Sequence, residues 1–465
     1  MLMDSMTKRI LCINPWIYDF SAYDFWNQPI GLLSAAALLR ENGHHVYFLD
    51  CLDPFHTGMQ RDPHIPSPKR KPSGDGKYAK QIIPKPLTLK DFPRNYHRYG
   101  ITPDHFQRSI SSLPEPDLIM VTSMMTYWYP GVFEAISLLR HIFPGKPLIL
   151  GGNYVTLCPD HALHSGADFC LSGPAEDSLP KVMKVLCKED MHFLPDRNKL
   201  DSYPYPAFDL ISHPVQVPIM TSRGCPFHCT YCASHIKADH FIRRDPLRVV
   251  DEIEHWHTRL QIRNFSFYDD ALLVNPHEMA IPFLKELIRR KLHVHFHCPN
   301  GLHLREIDHD ISLLMRNAGF KTIRFGFETS DSRRQAETGG KVSNEEFVRA
   351  VRYLTETGYN PKDIGVYILC GLPQQSAVEV EESIRFVQSK GVRPIIAEYS
   401  PIPGTGLWSK AIASSPYPLT EEPLFHNNTL LPCRNSLLTL KMYEKLKLLC
   451  RDPHYDLKKV DKKDR

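Results

Sequence analysis

The sequence predicts an α/β protein with two domains, a doubly wound (Rossmann-like) domain followed by a partial (β/α)6 TIM-like barrel. Three observations predict this class. Short, continuously apolar runs alternate with helical patterns through most of the chain, as expected for parallel sheets covered on both faces. A proline-containing stretch divides two such series. At 465 residues the chain is also too long for one ordinary domain.

The first series predicts about five strands. RILCINP (9–15) precedes a helix in IGLLSAAALLREN, and HVYFLDC (45–51) follows it. Further apolar strands are predicted at 117–124, 147–152 and 167–173. Ligands of doubly wound sheets lie beyond the carboxyl ends of the strands. The small residues expected there are Ser123, Gly151, Gly152 and Gly173.

The second series predicts six strand–helix units. The candidate strands are 217–223, 263–270, 293–300, 322–330, 363–371 and 394–402. The span is short for an eight-unit barrel, so we predict an open, six-unit version with its chemistry at the carboxyl ends of the strands. Polar or turn-forming residues stand at those ends: Asp269, Asp270, Glu328 and Gly371.

Domain boundaries follow from these two series. We predict a first domain over 1–200, a linker over 201–216, the barrel over 217–410 and a C-terminal helical extension over 411–465. Residues 61–100 form a basic, proline-rich insertion with ten Lys or Arg, three Asp and seven Pro. It is either a solvated, partly disordered segment or a basic flap over an anionic ligand.

Composition excludes several function classes. No apolar run approaches the length of a membrane span, and the N-terminus does not resemble a secretory signal. Twelve cysteines in such a chain indicate reduced thiols and a cytoplasmic protein. The net charge of only +4 does not indicate binding to nucleic acid.

Residues 221–235, TSRGCPFHCTYCASH, place Cys225, Cys229 and Cys232 in a C-x3-C-x2-C run. A structural zinc site needs four ligands, which His228 or His235 could complete. Three thiolates in one compact loop instead favour an iron–sulfur cluster with one open iron. Unligated core cysteines are the third alternative.

This run resembles the motif of the radical S-adenosylmethionine (SAM) enzymes, C-x3-C-x-aromatic-C, with Tyr231 as the aromatic residue. The resemblance implies a 4Fe-4S cluster whose open iron chelates SAM, and cleavage of SAM to a 5′-deoxyadenosyl radical. It further implies that Tyr231 lies against adenine, that Asp269 and Asp270 hold the methionine ammonium, and that Glu328 bonds ribose. YILCGLPQ resembles the adenine motif of the fifth strand, with Gly371 and Leu372 in place, and departs from it at Gln374.

The first domain resembles that of the cobalamin-binding class of the same family, in NPWIYDF, GGNYVTLCPDHA and ADFCLSGPAE. The class implies cobalamin bound near Ser123, Gly151, Gly152 and Gly173. The histidine motif D-x-H-x-x-G is absent, and the nearest segment, Asp53 to Gly58, has the wrong spacing. A domain that only packs on the barrel or binds substrate is the alternative.

The resemblance implies methylation of an unactivated carbon of a small-molecule or peptide substrate, with a flavodoxin- or ferredoxin-type electron donor. Radical cyclisation or rearrangement without methyl transfer is an alternative. A non-catalytic iron–sulfur or cobalamin sensor is the alternative from another class. The sequence assigns no residue to catalysis beyond cofactor binding.

Overall fold

The computed structural model describes residues 7–188, 190–455 and 457. They form two compact units. The first contains the chain up to Pro218 together with Ile242–Arg244 and Glu252–Asn264, and the second contains Ile219–Phe241, Asp245–Asp251 and the chain from Phe265 onward. No helix of the described ranges combines the length and apolar character needed to cross a membrane.

The first unit is built on two sheets. Its strands are β1 (Arg9–Asn14), β2 (Ile17–Asp19), β3 (His45–Asp50), β4 (Lys80–Ile83), β5 (Tyr96–Tyr99), β6 (Leu118–Val121), β7 (Leu148–Gly151) and β8 (Phe169–Leu171). Its helices are α1 (Ile30–Glu41), α2 (Thr57–Gln60), α3 (Pro103–Ser111), α4 (Tyr129–Ile142), α5 (Asn153–Leu157), α6 (Pro159–Ala162) and α7 (Ala175–Cys187).

The main sheet of the first unit is parallel, with the strand order β3-β1-β6-β7-β8. The order reverses at β1, between β3 and β6, as in a doubly wound fold. The centres of β1, β6 and β7 are buried, and one face of the sheet packs on α1 and α7 through apolar side chains. The prediction of a five-stranded, doubly wound domain is confirmed.

The basic insertion contributes regular structure. Strands β4 and β5 pair antiparallel, and β5 pairs with β2, so that the insertion forms a three-stranded sheet. Arg70, in the loop before β4, forms an ion pair of 2.6 Å with the buried Asp24. This pair ties the loop to the segment after β2. The basic insertion thus has a defined fold. Its pairing with β2, which lies more than 60 residues earlier in the chain, makes this possible.

The segment predicted as a linker packs against the first unit. Phe208 is fully buried, and Asp209 accepts two hydrogen bonds of 2.9 Å from Arg40 on α1. The break between the two units falls at 218/219, two residues after the predicted end of the linker.

The second series of strands forms one six-stranded sheet, and two further short strands pair with each other. The strands are β9 (Gln216–Ile219), β10 (Ser222–Arg223), β11 (Ile242–Arg243), β12 (Asn264–Phe267), β13 (His295–His297), β14 (Phe320–Glu328), β15 (Ile364–Cys370) and β16 (Arg393–Glu398). The two short strands are β10 and β11. The helices are α8 (Ser234–Lys237), α9 (Pro246–Leu260), α10 (Ala280–Arg290), α11 (His309–Ala318), α12 (Ser332–Glu337), α13 (Asn344–Glu356), α14 (Ala377–Ser389), α15 (Trp408–Ser414) and α16 (Leu440–Arg451).

The order of the six-stranded sheet is β16-β15-β14-β13-β12-β9, so each strand lies beside the next one of the predicted series. The pairs from β13 to β16 are parallel. A capping box formed by Ser343 and Glu346 begins α13. The partial (β/α)6 barrel predicted from the sequence is confirmed.

Candidate active site

The cysteine loop follows β9 and β10, at the carboxyl end of the first strand of the barrel sheet. Two distant segments hold its centre: Thr230 N–H donates to the carbonyl of Thr338 (3.3 Å), and Leu407 N–H donates to the carbonyl of Thr230 (2.8 Å). Cys229 is buried, while Cys225 and Cys232 are partly exposed. The loop is therefore a fixed element that presents three thiols over a short stretch of chain.

The thiols of the loop are not arranged as a site for a single ion. Among the described residues, no group of three or more His, Cys, Asp or Glu side chains is close enough to hold one metal. A cubane cluster differs, because each of its cysteines binds a different iron. This arrangement gives no support to the zinc alternative with His228 or His235.

Burial opposes the ionisation of two of these thiols, those of Cys225 and Cys229. It raises the pKa of Cys225 to about 11, with the nearby Asp270 carboxylate adding to the effect. Burial also raises the pKa of Cys229, against an opposing effect of the Lys341 ammonium. A bound metal would favour the thiolate forms of Cys225 and Cys229, because metal binding displaces the thiol protons.

The acidic pair at the end of β12 has two different surroundings. Asp269 is buried, and its carboxylate accepts hydrogen bonds from Thr221 N–H (2.9 and 3.0 Å), Thr221 Oγ1 (2.6 Å) and Ser222 Oγ (2.7 Å). It therefore fixes the segment that leads into the cysteine loop. Asp270 is partly exposed and lies near Cys225. Of the two, only Asp270 has a carboxylate that these bonds leave open to a ligand.

A group of side chains without a predicted role packs on the same loop. The ring of His303 stacks on Phe227 with centroids 4.6 Å apart, and the Arg305 guanidinium lies 5.4 Å from the Phe227 ring centroid. His303 Nε2 donates to the carbonyl of Asp270 (3.1 Å), and Arg305 donates to the carbonyl of Gly340 (2.8 Å). Burial lowers the pKa of His303 to about 3, with help from the nearby cations.

Glu328 ends β14 in a left-handed backbone conformation with φ of 72°, at a bulge in the pairing with β15. A non-glycine residue with positive φ at a strand end is uncommon and often marks a functional site. Its carboxylate lies 3.6 Å from Lys341 Nζ and accepts a hydrogen bond from the Tyr231 hydroxyl. Burial, followed by the Glu328 and Cys229 charges, raises the pKa of Tyr231. The predicted SAM residues Tyr231 and Glu328 are thus in contact.

The end of β15 is shaped by Gln375, which is buried. Its side-chain oxygen accepts from Gly371 N–H (2.8 Å) and Leu372 N–H (3.2 Å), and its amide nitrogen donates to the carbonyl of Leu369 (3.1 Å). Leu372 is buried, whereas Gln374 is exposed. Gln375 therefore organises this turn, and Gln374, which departs from the family motif, does not.

In the first unit, the small residues predicted to approach cobalamin follow the adjacent strands β6, β7 and β8. Ser123 Oγ donates to the carbonyl of Gly151 (2.6 Å), and Asn153 N–H donates to the carbonyl of Ser123 (3.0 Å). Gly152 has φ of 101°, and a Cβ there would lie 2.1 Å from the carbonyl oxygen of Ser123. Only glycine therefore fits at this position. Gly173 donates its N–H to Thr156 Oγ1 (3.0 Å). The surface is made of backbone and small side chains, which suits a broad, flat ligand.

His56, the histidine nearest to a cobalt-ligand motif, lies elsewhere in this unit. It follows β3, the edge strand on the far side of β1 from β6, and its Nε2 bonds Ser109 Oγ (2.9 Å). The first unit therefore does not bring His56 to the small residues at the ends of β6 to β8.

Comparison with known proteins identifies a family that resembles the barrel. Residues 219–387 match the model of the radical SAM superfamily. An uncharacterised methyltransferase of Pyrococcus horikoshii is 24% identical over 332 residues, 65% of this chain and 70% of that protein. The cytidylyl-2-hydroxyethylphosphonate methyltransferase of Streptomyces wedmorensis is 22% identical over 473 residues, 87% of this chain and 82% of that protein.

A similar fold is known from a solved structure. The radical S-adenosylmethionine methyltransferase TsrM from Kitasatospora setae, with cobalamin and a [4Fe-4S] cluster bound, superposes with a TM-score of 0.62 at 16% identity. The likeness covers 89% of this chain and 76% of TsrM. It shows that the two folds, a Rossmann-like domain and a barrel, are shared.

Proposed function

We propose that this chain, which belongs to the radical SAM superfamily, is a cobalamin-dependent methyltransferase that acts on an unactivated carbon atom. The observation that carries the proposal is the cysteine loop, which presents three thiols and includes Tyr231, with Asp270 and Glu328 beside it. Three thiolates on a four-iron cluster leave one iron open for the amino and carboxylate groups of SAM. The relatives named as methyltransferases support methyl transfer over cyclisation or rearrangement.

We assign the roles of the barrel residues as follows. Cys225, Cys229 and Cys232 bind three irons, and Asp270 receives the methionine ammonium, since a carboxylate is the natural partner of that cation. Asp269 acts by fixing the start of the cysteine loop through Thr221 and Ser222.

Glu328 and Tyr231 form the nucleoside side of the same site. Glu328 accepts from the ribose hydroxyls, and the ring of Tyr231 lies against adenine, with its hydroxyl held by Glu328. Gly371 and Leu372 supply backbone and an apolar surface to the base. Lys341 orients Glu328, because its ammonium lies 3.6 Å from the carboxylate.

Cobalamin fits the surface formed by Ser123, Gly151, Gly152 and Gly173, because that surface carries no side chain larger than a serine hydroxyl. When bound, the cluster supplies the electron that cleaves SAM, and cobalamin supplies the carrier for the methyl group. The contribution of the chain is to orient these groups and to exclude water. The substrate is a small molecule or peptide, the electron donor is of flavodoxin or ferredoxin type, and the protein works in the cytoplasm.

The test uses the full chain, reconstituted anaerobically with iron, sulfide and hydroxocobalamin and reduced with dithionite. We expect 5′-deoxyadenosine from added SAM and cobalamin absorbance that survives desalting. Methyl-labelled SAM should then transfer label to a product when candidate substrates are supplied.

Other outcomes separate the alternatives. Deoxyadenosine without retained cobalamin would refute the cobalamin assignment and leave the barrel chemistry. Deoxyadenosine with retained cobalamin but unlabelled product would favour cyclisation or rearrangement. A protein that binds iron or cobalamin but never cleaves SAM would be a sensor.

A further inference from the structure

A cavity of about 670 Å³ lies in the first unit, away from the residues assigned to cobalamin. It opens beyond the carboxyl end of β3 and beside α3. β3 is an edge strand, and β1 separates it from β6. The cavity therefore lies at one edge of the sheet, whereas Ser123 and Gly152 follow β6 and β7 on the other side of β1. No cofactor role proposed above uses its walls.

Two arginines line this cavity. Arg61 follows α2, and Arg108 lies in α3. Both are exposed, and neither is in an ion pair with any described residue. Two other cations of the basic insertion are by contrast paired, Arg70 with Asp24 (2.6 Å) and Lys71 with Asp75 (2.6 Å). The two guanidinium groups are therefore available to a ligand.

Hydroxyl groups stand beside the arginines. Thr57, Ser109 and Ser112 line the same cavity. Met59 N–H donates to His56 Nδ1 (3.4 Å), so Nε2 of that ring carries the hydrogen and donates to Ser109 Oγ (2.9 Å). The hydroxyl hydrogen of Ser109 is then free to be donated to another acceptor.

The two carboxylates that line the cavity are engaged by their own turns. Asp53 accepts from Phe55 N–H (2.8 Å), and Asp62 accepts from His64 N–H (2.9 Å). Each turn orients one carboxylate oxygen towards the backbone. The two carboxylates balance the two arginines in formal charge, so recognition of an anion here depends on the placement of the guanidinium and hydroxyl groups and not on net charge.

The remaining walls suit an organic group. Phe48, Leu49 and Leu113 are apolar, and His105 and His213 add ring faces. The volume is much larger than a phosphate group alone requires. Guanidinium groups and hydroxyl donors recognise phosphate oxygens, and the flat, apolar surface would hold the group to which the phosphate is attached.

We propose that this cavity is a second ligand site of the protein, specific for a phosphorylated small molecule such as a nucleotide. The phosphate is bound by Arg61, Arg108 and the Ser109 hydroxyl, and the organic part lies against Phe48 and Leu113. The proposal does not depend on the cluster, SAM or cobalamin, because all its residues belong to the first unit.

The test is isothermal titration calorimetry of the full chain, without cluster or cobalamin, with uridine monophosphate, pyrophosphate and uridine as probes. A uracil nucleotide is chosen because the barrel is proposed to bind adenine. We expect uridine monophosphate to bind more tightly than uridine, and its affinity to fall as salt is raised. Arg61→Glu and Arg108→Glu should each lower the affinity for uridine monophosphate by about tenfold or more.

The matched control is Arg94→Glu, which reverses an exposed cation of the same insertion that does not line the cavity. It should leave the affinity unchanged, and the thermal midpoint of every variant should match the wild type, which excludes unfolding as the cause. Equal binding by the wild type and both cavity variants would overturn the site. Absence of binding by both phosphorylated probes, or equal affinity for uridine and its monophosphate, would overturn it as well.

Discussion

The contact between Gly339 and the cysteine loop allows a quantitative test with a neighbouring control. Gly339 has φ of 119°, outside the left-handed region that other residues tolerate, and a Cβ there would lie 3.0 Å from Cys229 Cα. Gly340 has φ of 60° and no atom within 4 Å of the position of a Cβ. Two adjacent glycines thus differ in whether a methyl group can be accepted.

The expected costs follow from these geometries. For Gly339→Ala, backbone strain of about 1–3 kcal/mol and a contact penalty of about 1–3 kcal/mol add, against a gain of about 0.4–1 kcal/mol from the unfolded chain. For Gly340→Ala, only the left-handed strain of about 1–2 kcal/mol remains, and the same gain offsets much of it. The two variants should differ by about 2 kcal/mol or more, which is about 4–8 °C in the unfolding midpoint of a domain of this size.

The assay measures thermal unfolding of both variants together with iron and sulfide content after reconstitution. Gly339→Ala should lower the midpoint and the iron content, since the methyl group displaces the backbone of Cys229. Gly340→Ala should retain the iron content of the wild type. Full iron loading in Gly339→Ala, or equal losses in both variants, would refute the reasoning that this contact positions the loop.

Three further substitutions test other parts of the two units. The pKa of His303 is lowered to about 3 in the folded state, so the folded protein keeps this ring neutral at pH values where the unfolded chain protonates it. The free energy of unfolding is therefore unaffected by His303 above about pH 6.5. It falls by ~1.4 kcal/mol per pH unit as pH decreases from there towards 3. Denaturant titrations at pH 7 and pH 5 should therefore show a steeper loss in the wild type than in His303→Gln, and parallel losses would contradict this. Gln375→Ala leaves three buried backbone groups unpaired and should cost about 2–4 kcal/mol in urea unfolding, whereas the exposed Gln374→Ala should cost little. Gly152→Ala should abolish cobalamin retention on desalting but leave deoxyadenosine formation intact, whereas Gly31→Ala in α1, whose Cβ would have no neighbour within 4 Å, should retain cobalamin.

The strands and the cysteine loop could be predicted from the sequence because their signals are local. Continuous apolar runs identify buried parallel strands, and the spacing of Cys225, Cys229 and Cys232 identifies the loop without knowledge of the rest of the fold. The same holds for the capping box that begins α13.

The partners of the site residues could not be predicted, because they come from distant parts of the chain. Arg324 and Arg333 are nearer to Glu328 in sequence, but the structure places Lys341 beside its carboxylate. A helix and a turn separate Glu328 from Lys341, and nothing local links them. The two glycines before Lys341 were a usable signal, since adjacent glycines often mark a close backbone approach.

The basic insertion shows the same limit. Its charge and proline content are typical of a disordered segment. Its order comes from pairing with β2 and from the ion pair between Arg70 and Asp24, both of which join residues far apart in sequence.

The way the cysteine loop is held has a consequence for biosynthesis. Thr230 is bonded to Glu337, which lies 107 residues later in the chain, and to Leu407, which lies later still. A nascent chain that has just presented its three cysteines lacks the segments that give the loop its shape. Such non-local contacts form late, after the intervening units have folded. Delivery of iron and sulfide is therefore expected to follow synthesis of nearly the whole barrel, so that chains truncated before Leu407 would leave the ribosome unable to retain a cluster.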